Sequence, residues 1–246
     1  MKSLENDPKK SELIYKEIEI LRHCNHRKIL QYIDHFIENI TEPHEKSYIH
    51  IVMEFLSGGD LAAFINNNGA FHESRLISIA WDVAKGLEYL HKLGIIHRDI
   101  KPENIVFDAM QKPRIIDFGL SHIISYNEYL SDPYGTYFYA SPEIHNKTKY
   151  NKATDIWSFG MLLFYGLTCE YPFERKGNNK DQAYLVITDL EHEFDFEHNI
   201  SFVNVSRSLK NLIAGCLRKR MEKRYRIEEI VQHEVFRKYN SWKSKN

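Results

Sequence analysis

The stretch from Ile95 to Asp108, IIHRDIKPENIVFD, sets Arg98, Asp99, Lys101 and Asn104 between two apolar runs. Ile95–Ile96 and Ile105–Phe107 read as short buried strands, so the charged residues sit on a loop fixed at both ends by core. A charged cluster on a rigidly held loop is how a scaffold presents catalytic groups. A turn rich in Asp and Asn is the structural alternative for the same residues. A second acid, Asp117, follows an apolar run in RIIDFGL. The intervening DAMQKP reads as a hairpin turn, which brings Asp117 back toward the first loop. Asp99, Asn104 and Asp117 then converge as hard oxygen groups, a set suited to Mg2+ holding phosphates.

The elements that must position these loops come in two groups. From Ser11 to Arg22, Leu13, Glu17 and Leu21 share one helical face with Ile14 and Ile18 beside them, which leaves a carboxylate on an apolar margin. Two strand-like stretches, ILQYIDHFI and SYIHIVMEF, flank a polar connector from Glu38 to Lys46 that contains Pro43, and they pair as antiparallel strands. The SGGD at Ser57 to Asp60 ends this pattern. Beyond it the periodicity predicts helices over about 73–93, 152–169, 180–190, 206–217 and 226–236, with Asn66 to Gly69 as a helix exit. Strands followed by helices make an α+β chain.

Global properties narrow the function. A net charge of -1 and a pI near 6.9 give no overall pull toward nucleic acid or an anionic membrane. The basic stretch Arg218 to Arg226 contains Glu222 and lacks a basic surround, so it reads as structural. Cys24, Cys169 and Cys216 have no paired spacing, which fits a reducing compartment. The opening MKSLENDPKK lacks the apolar run of a signal peptide, and Ile156 to Cys169 is too short to span a bilayer. A cytoplasmic protein is expected, with Ile156 to Cys169 as a buried helix.

HRDIKPEN, DFG, SPE at Ser141 to Glu143 and DIWSFG at Asp155 to Gly160, in that order, resemble the eukaryotic protein kinase family, serine/threonine type. The resemblance covers essentially the whole chain. It implies a two-lobe fold, with a partial small lobe at 1–56, a mainly helical large lobe at 57–238 and a tail at 239–246. It also implies ATP and Mg2+ as cofactors and a protein as substrate. By that resemblance Asp99 accepts the proton of the substrate hydroxyl, Lys101 sits beside the transferred phosphate, and Asn104 and Asp117 hold metal. Glu17 pairs with the nucleotide-binding lysine, and Glu54 to Leu56, after Met53, form the hinge that meets adenine. Glu143 pairs with Arg224, and Asp155 belongs to the structural set. Asp60 is either a ribose-contacting acid or the cap of the next helix.

The resemblance also has gaps. There is no glycine before Gly58, so the glycine-rich turn over the phosphates is missing. Lys2 lies 15 residues before Glu17, where the nucleotide-binding lysine belongs, but no apolar strand carries it. It is either the tail of that strand or a simple terminal lysine, poorly ordered in both cases, and the hinge strand is left without neighbours. A binding module without efficient phosphoryl transfer is therefore the rival function. In the activation segment, Asp117 to Glu143, Arg98 is expected to meet a negative charge ahead of Gly135-Thr136. Asp132 supplies that charge or merely starts the turn SDPYG, and Ser131 beside it is a candidate for phosphorylation.

Overall fold

The computed structural model describes residues 1–7, 11–40, 46–125, 127–173, 180–196, 202 and 204–240. Pro43 of the expected connector and residues 241–246 of the expected tail lie outside that set. The chain opens with β1 (Lys2–Glu5), α1 (Ser11–His23), β2 (Tyr32–Ile40) and β3 (Lys46–Met53). These strands form an antiparallel sheet in the order β1-β3-β2. Two expectations are corrected here. Lys2 lies on a paired strand, opposite Ile51, and the hinge strand β3 is the centre of the sheet. The cause is a period of two: Lys2 and Leu4 pair with the fully buried Ile51 and Ile49, while Ser3 and Glu5 face the other way. Four residues are too few to announce a strand before its partner is known.

Ile14, Ile18 and Leu21 of α1 are buried, and Glu17 is buried among them. Then α2 (Leu61–Asn68) is capped by Asp60, whose Oδ1 accepts from the Ala63 N–H at 2.7 Å. Gly69, at φ 77°, closes α2 in the left-handed conformation that glycine tolerates. After α3 (Glu73–Lys92), the short strand β4 (Ile95–Ile96) delivers the charged loop. A tight hairpin of β5 (Ile105–Phe107) and β6 (Pro113–Ile115) follows, and β7 (His122–Ile123) pairs back to β4.

Among the described residues the later α-helices are α4 (Pro142–His145), α5 (Ala153–Thr168), α6 (Lys180–Thr188), α7 (Arg207–Cys216), α8 (Ile227–Gln232) and α9 (Arg237–Asn240). Helix α5 is enclosed: Ile156, Trp157, Phe159, Met161, Leu162, Leu163 and Phe164 are each 2% exposed or less. Among the described residues no helix is long and apolar enough to cross a membrane. Helix α8 ends earlier than its periodicity predicts. His233 leaves helical geometry at ψ 145° and caps a separate turn, Glu234–Phe236. Arg224 and Glu143 tie the region around α8 to α4 through bonds of 2.7 and 3.0 Å, both side chains at most 7% exposed. Losing one partner of such a buried pair costs about 3–5 kcal/mol.

Candidate active site

The loop after β4 is held from beneath. Asp155, in the first turn of α5, accepts from the backbone N–H of His97 at 2.9 Å and of Arg98 at 2.9 Å, and from His91 Nε2 at 2.9 Å. Burial works against the Asp155 carboxylate, but the bond from His91 and the other donors hold its pKa below the usual range. These bonds fix Arg98 at φ 66°, a left-handed conformation uncommon for a long side chain. The sharp turn that results presents Asp99.

Asp99 is surrounded by donors. Thr136 Oγ1 donates to Oδ1 at 2.6 Å, Lys101 Nζ lies 2.8 Å from Oδ2, and Asn104 Nδ2 donates to Oδ2 at 2.9 Å. Lys101 also donates to Thr136 Oγ1 at 2.8 Å. The loop and the Gly135-Thr136 turn are thereby closed into one network. An ionised carboxylate with its orientation fixed can accept a proton from a hydroxyl placed against it.

The second cluster assembles at Asp117, itself left-handed at φ 61°. Lys2 Nζ donates to Glu17 Oε1 at 2.7 Å and Oε2 at 2.9 Å, and to Asp117 Oδ1 at 3.1 Å. Burial works against the Lys2 ammonium, yet Glu17 and then Asp117 outweigh it, so its pKa is raised. Burial likewise opposes the Asp117 carboxylate, and Lys2 reverses that, lowering its pKa. Lys2, Glu17, Leu21, Leu30, Met53, Asn104, Ile116 and Asp117 line a cleft of about 240 Å3. Leu21, Leu30, Met53 and Ile116 give it apolar lining, and its charged groups, Lys2, Glu17 and Asp117, are bonded to one another. The Asp117 carboxylate and the Asn104 amide oxygen are hard donors on that cleft, a fit for Mg2+.

The structure brings Lys2, Glu17, Met53, Asn104 and Asp117 to one cleft and leaves Asp60, Glu54 and Leu56 off its lining. Asp60 serves α2 as its cap. Glu54 turns to Gln31 and Arg114: its Oε1 accepts from the Gln31 N–H at 2.8 Å and lies 3.3 Å from Arg114 Nη1. In the activation segment, the Asp132 carboxylate is exposed and makes no ion pair with Arg98; its carbonyl instead accepts from Tyr150 Oη at 2.8 Å and the Tyr134 N–H at 2.9 Å. Ser131 is exposed.

A family model described as "Protein kinase domain" matches residues 1–236. The chain belongs to the protein kinase family. Similar proteins include calcium-dependent protein kinase 5 of Plasmodium falciparum, 33% identical over 94% of this chain and 39% of that protein. Another is the serine/threonine-protein kinase PEPKR2 of Arabidopsis thaliana, 31% identical over 92% of this chain and 45% of that protein. The chain thus spans about two-fifths of the length of these relatives, 39% and 45%. The mixed α+β kinase fold, with its small strand-rich part and helical part, is the one the motifs imply.

Sequence reasoning about this kinase domain missed His91, Tyr134, Tyr150 and Arg114. His91 carried a signal, since it falls on the buried face of α3, where an imidazole needs a partner. Tyr134 and Tyr150 carried none, because an aromatic in a loop reads as core or surface until its neighbours are known.

Proposed function

We propose that this chain is a serine/threonine protein kinase catalytic domain that transfers the γ-phosphoryl group of ATP to Ser or Thr hydroxyls of intracellular proteins. Residues 1–56 form the small lobe and 57–238 the large lobe. The observation that carries the reading is the Asp99 carboxylate, oriented by Thr136, Lys101 and Asn104 beside a cleft lined in part by Lys2, Glu17 and Asp117.

In this reading Asp99 orients the substrate hydroxyl and takes its proton as the oxygen bonds to phosphorus and the bond to the ADP leaving group breaks. Lys101, a compact cation 2.8 Å from Asp99, offsets charge on the phosphoryl oxygens. Lys2, steadied by Glu17, faces the nucleotide phosphates, while Met53 and the hinge residues Glu54 and Leu56 border the adenine. Asp60 acts as the cap of α2. Asn104 and Asp117 would hold Mg2+, which when bound neutralises phosphate charge. Glu143, Asp155 and Arg224 keep this frame in place.

The test is transfer of labelled phosphate from Mg-ATP to serine-, threonine- and tyrosine-containing peptides. Serine or threonine peptides should be labelled, and Asp99→Asn should lower the rate by about 10²–10⁴-fold with little change in melting temperature. Nucleotide binding with no transfer to any peptide or protein would favour the binding module instead.

A further inference from the structure

Arg98 is 9% exposed, and a guanidinium so enclosed must find partners for its charge and its donors. Its Nε donates to the Leu120 carbonyl, and Nη1 donates to Tyr150 Oη at 3.1 Å. The ring of Tyr134 lies over the guanidinium, 4.7 Å from Cζ to centroid. We infer that Tyr134 and Tyr150 together order the activation segment on Arg98, so that the segment takes its working shape without a phosphate. For its effect on rate this rests on the kinase reading above; for the shape of the segment it does not.

The geometry connects these contacts to the catalytic loop. Tyr150 Oη accepts from Arg98 and donates to the Asp132 carbonyl at 2.8 Å, so one hydroxyl joins the guanidinium to the backbone of the segment. Leu130 and Tyr150 also exchange two backbone bonds of 2.9 Å, which pins the chain just before Ser131. Tyr134 then places its ring on Arg98, and Gly135, at φ 138°, turns the chain so tightly that a β-carbon there would sit 3.2 Å from the Arg98 carbonyl. Thr136 follows directly, donating to Asp99 at 2.6 Å. The face of the Tyr134 ring attracts the cation, and the attraction strengthens when the site is desolvated. Tyr134 is thus a positioning residue: it acts on Asp99 through Arg98 and Thr136.

The experiment uses phosphatase-treated protein, checked by intact mass, and compares wild type with Tyr134→Phe, Tyr134→Leu, Tyr150→Phe and Ser131→Ala. Two readouts are taken, the rate of protease cleavage within the activation segment and the kinetics on a serine peptide. Wild type, Tyr134→Phe and Ser131→Ala should resist cleavage equally. Tyr134→Leu keeps apolar bulk but has no aromatic face, and it should be cut about three- to tenfold faster. Tyr150→Phe should also be cut faster, and both should lower kcat with KM for ATP little changed. Tyr134 is 43% exposed, so neither of its variants disturbs the core. The inference is overturned if dephosphorylated wild type is cut as fast as Tyr134→Leu, if Tyr134→Leu matches wild type, or if phosphate on Ser131 is needed for protection. The cleavage pattern above, with no peptide phosphorylated even by wild type, would sink the kinase reading and leave this one standing.

Discussion

Lys2 faces two carboxylates at different depths, and their difference decides what each can do. Glu17 is 4% exposed and grips the ammonium with both oxygens, whereas Asp117 is nearly half exposed and touches it with one. Glu17 is therefore the anchor, and Asp117 keeps an oxygen for whatever enters the cleft. Replacing Glu17 by Gln should leave Asp117 as the only carboxylate paired with Lys2, with one neutral amide oxygen in place of two charged acceptors, and draw the ammonium out of line. Under the kinase reading, kcat/KM for ATP should fall about 10²-fold in steady-state assays, as expected for a small misplacement of a positioning group. A fall below threefold would show that Asp117 suffices to hold Lys2. Glu17 was legible in the sequence because an acid on an apolar helical margin demands an explanation. The strand under Lys2 was not, because its partners lie some fifty positions away, at Ile49 and Ile51.

Elements were most legible where one face or one whole helix is apolar. The spans of α1, α3, α5 and α7 fall within one or two residues of their predicted limits, because each buries a long periodic stripe or, for α5, nearly its full circumference. Helix α8 was overestimated because its apolar pattern continues through a change of backbone direction at His233. What periodicity cannot give is how closely two helices approach. Gly160 sits where α5 meets α7, and a β-carbon there would lie 2.8 Å from Cys216 Cβ and 2.9 Å from Leu217 Cδ2. Both neighbours are buried, so neither has space to retreat. Gly160→Ala should therefore destabilise the domain by about 1–3 kcal/mol despite the better helix propensity of alanine. Denaturant unfolding measures this directly, and an unchanged or higher midpoint would show that α7 can shift aside.

At the scale of the whole molecule, the buried titratable groups set how stability follows pH, in two windows. His97 is fully enclosed, with Nε2 near the Ile116 carbonyl at 3.0 Å, and burial pushes its pKa below the ordinary imidazole value of 6.5. Below pH 6.5 the unfolded chain takes up a proton there that the folded protein refuses, so stability falls as pH falls, by at most about 1.4 kcal/mol per pH unit per proton. His145, lowered for the same reason, adds to this window. The second window opens lower. Burial opposes the Glu143 and Asp155 carboxylates, but Arg224 holds the first and the His91 bond the second below their ordinary values of 4.5 and 3.8. Their contribution is complete above those values and is lost as pH falls through the depressed ones. Stability should thus be nearly level from about pH 8 to 7, decline from about pH 6.5, and decline again below about 4.5. Melting temperatures taken from pH 8 to 4 would test the shape. Arg224→Met should abolish or reverse the loss at Glu143, because burial then raises that carboxyl's pKa and protonation favours the folded state as pH falls, while the histidine window stays in place because it depends on different partners. If that variant instead shifted both windows together, the groups would be titrating as one coupled set across the catalytic loop and α5.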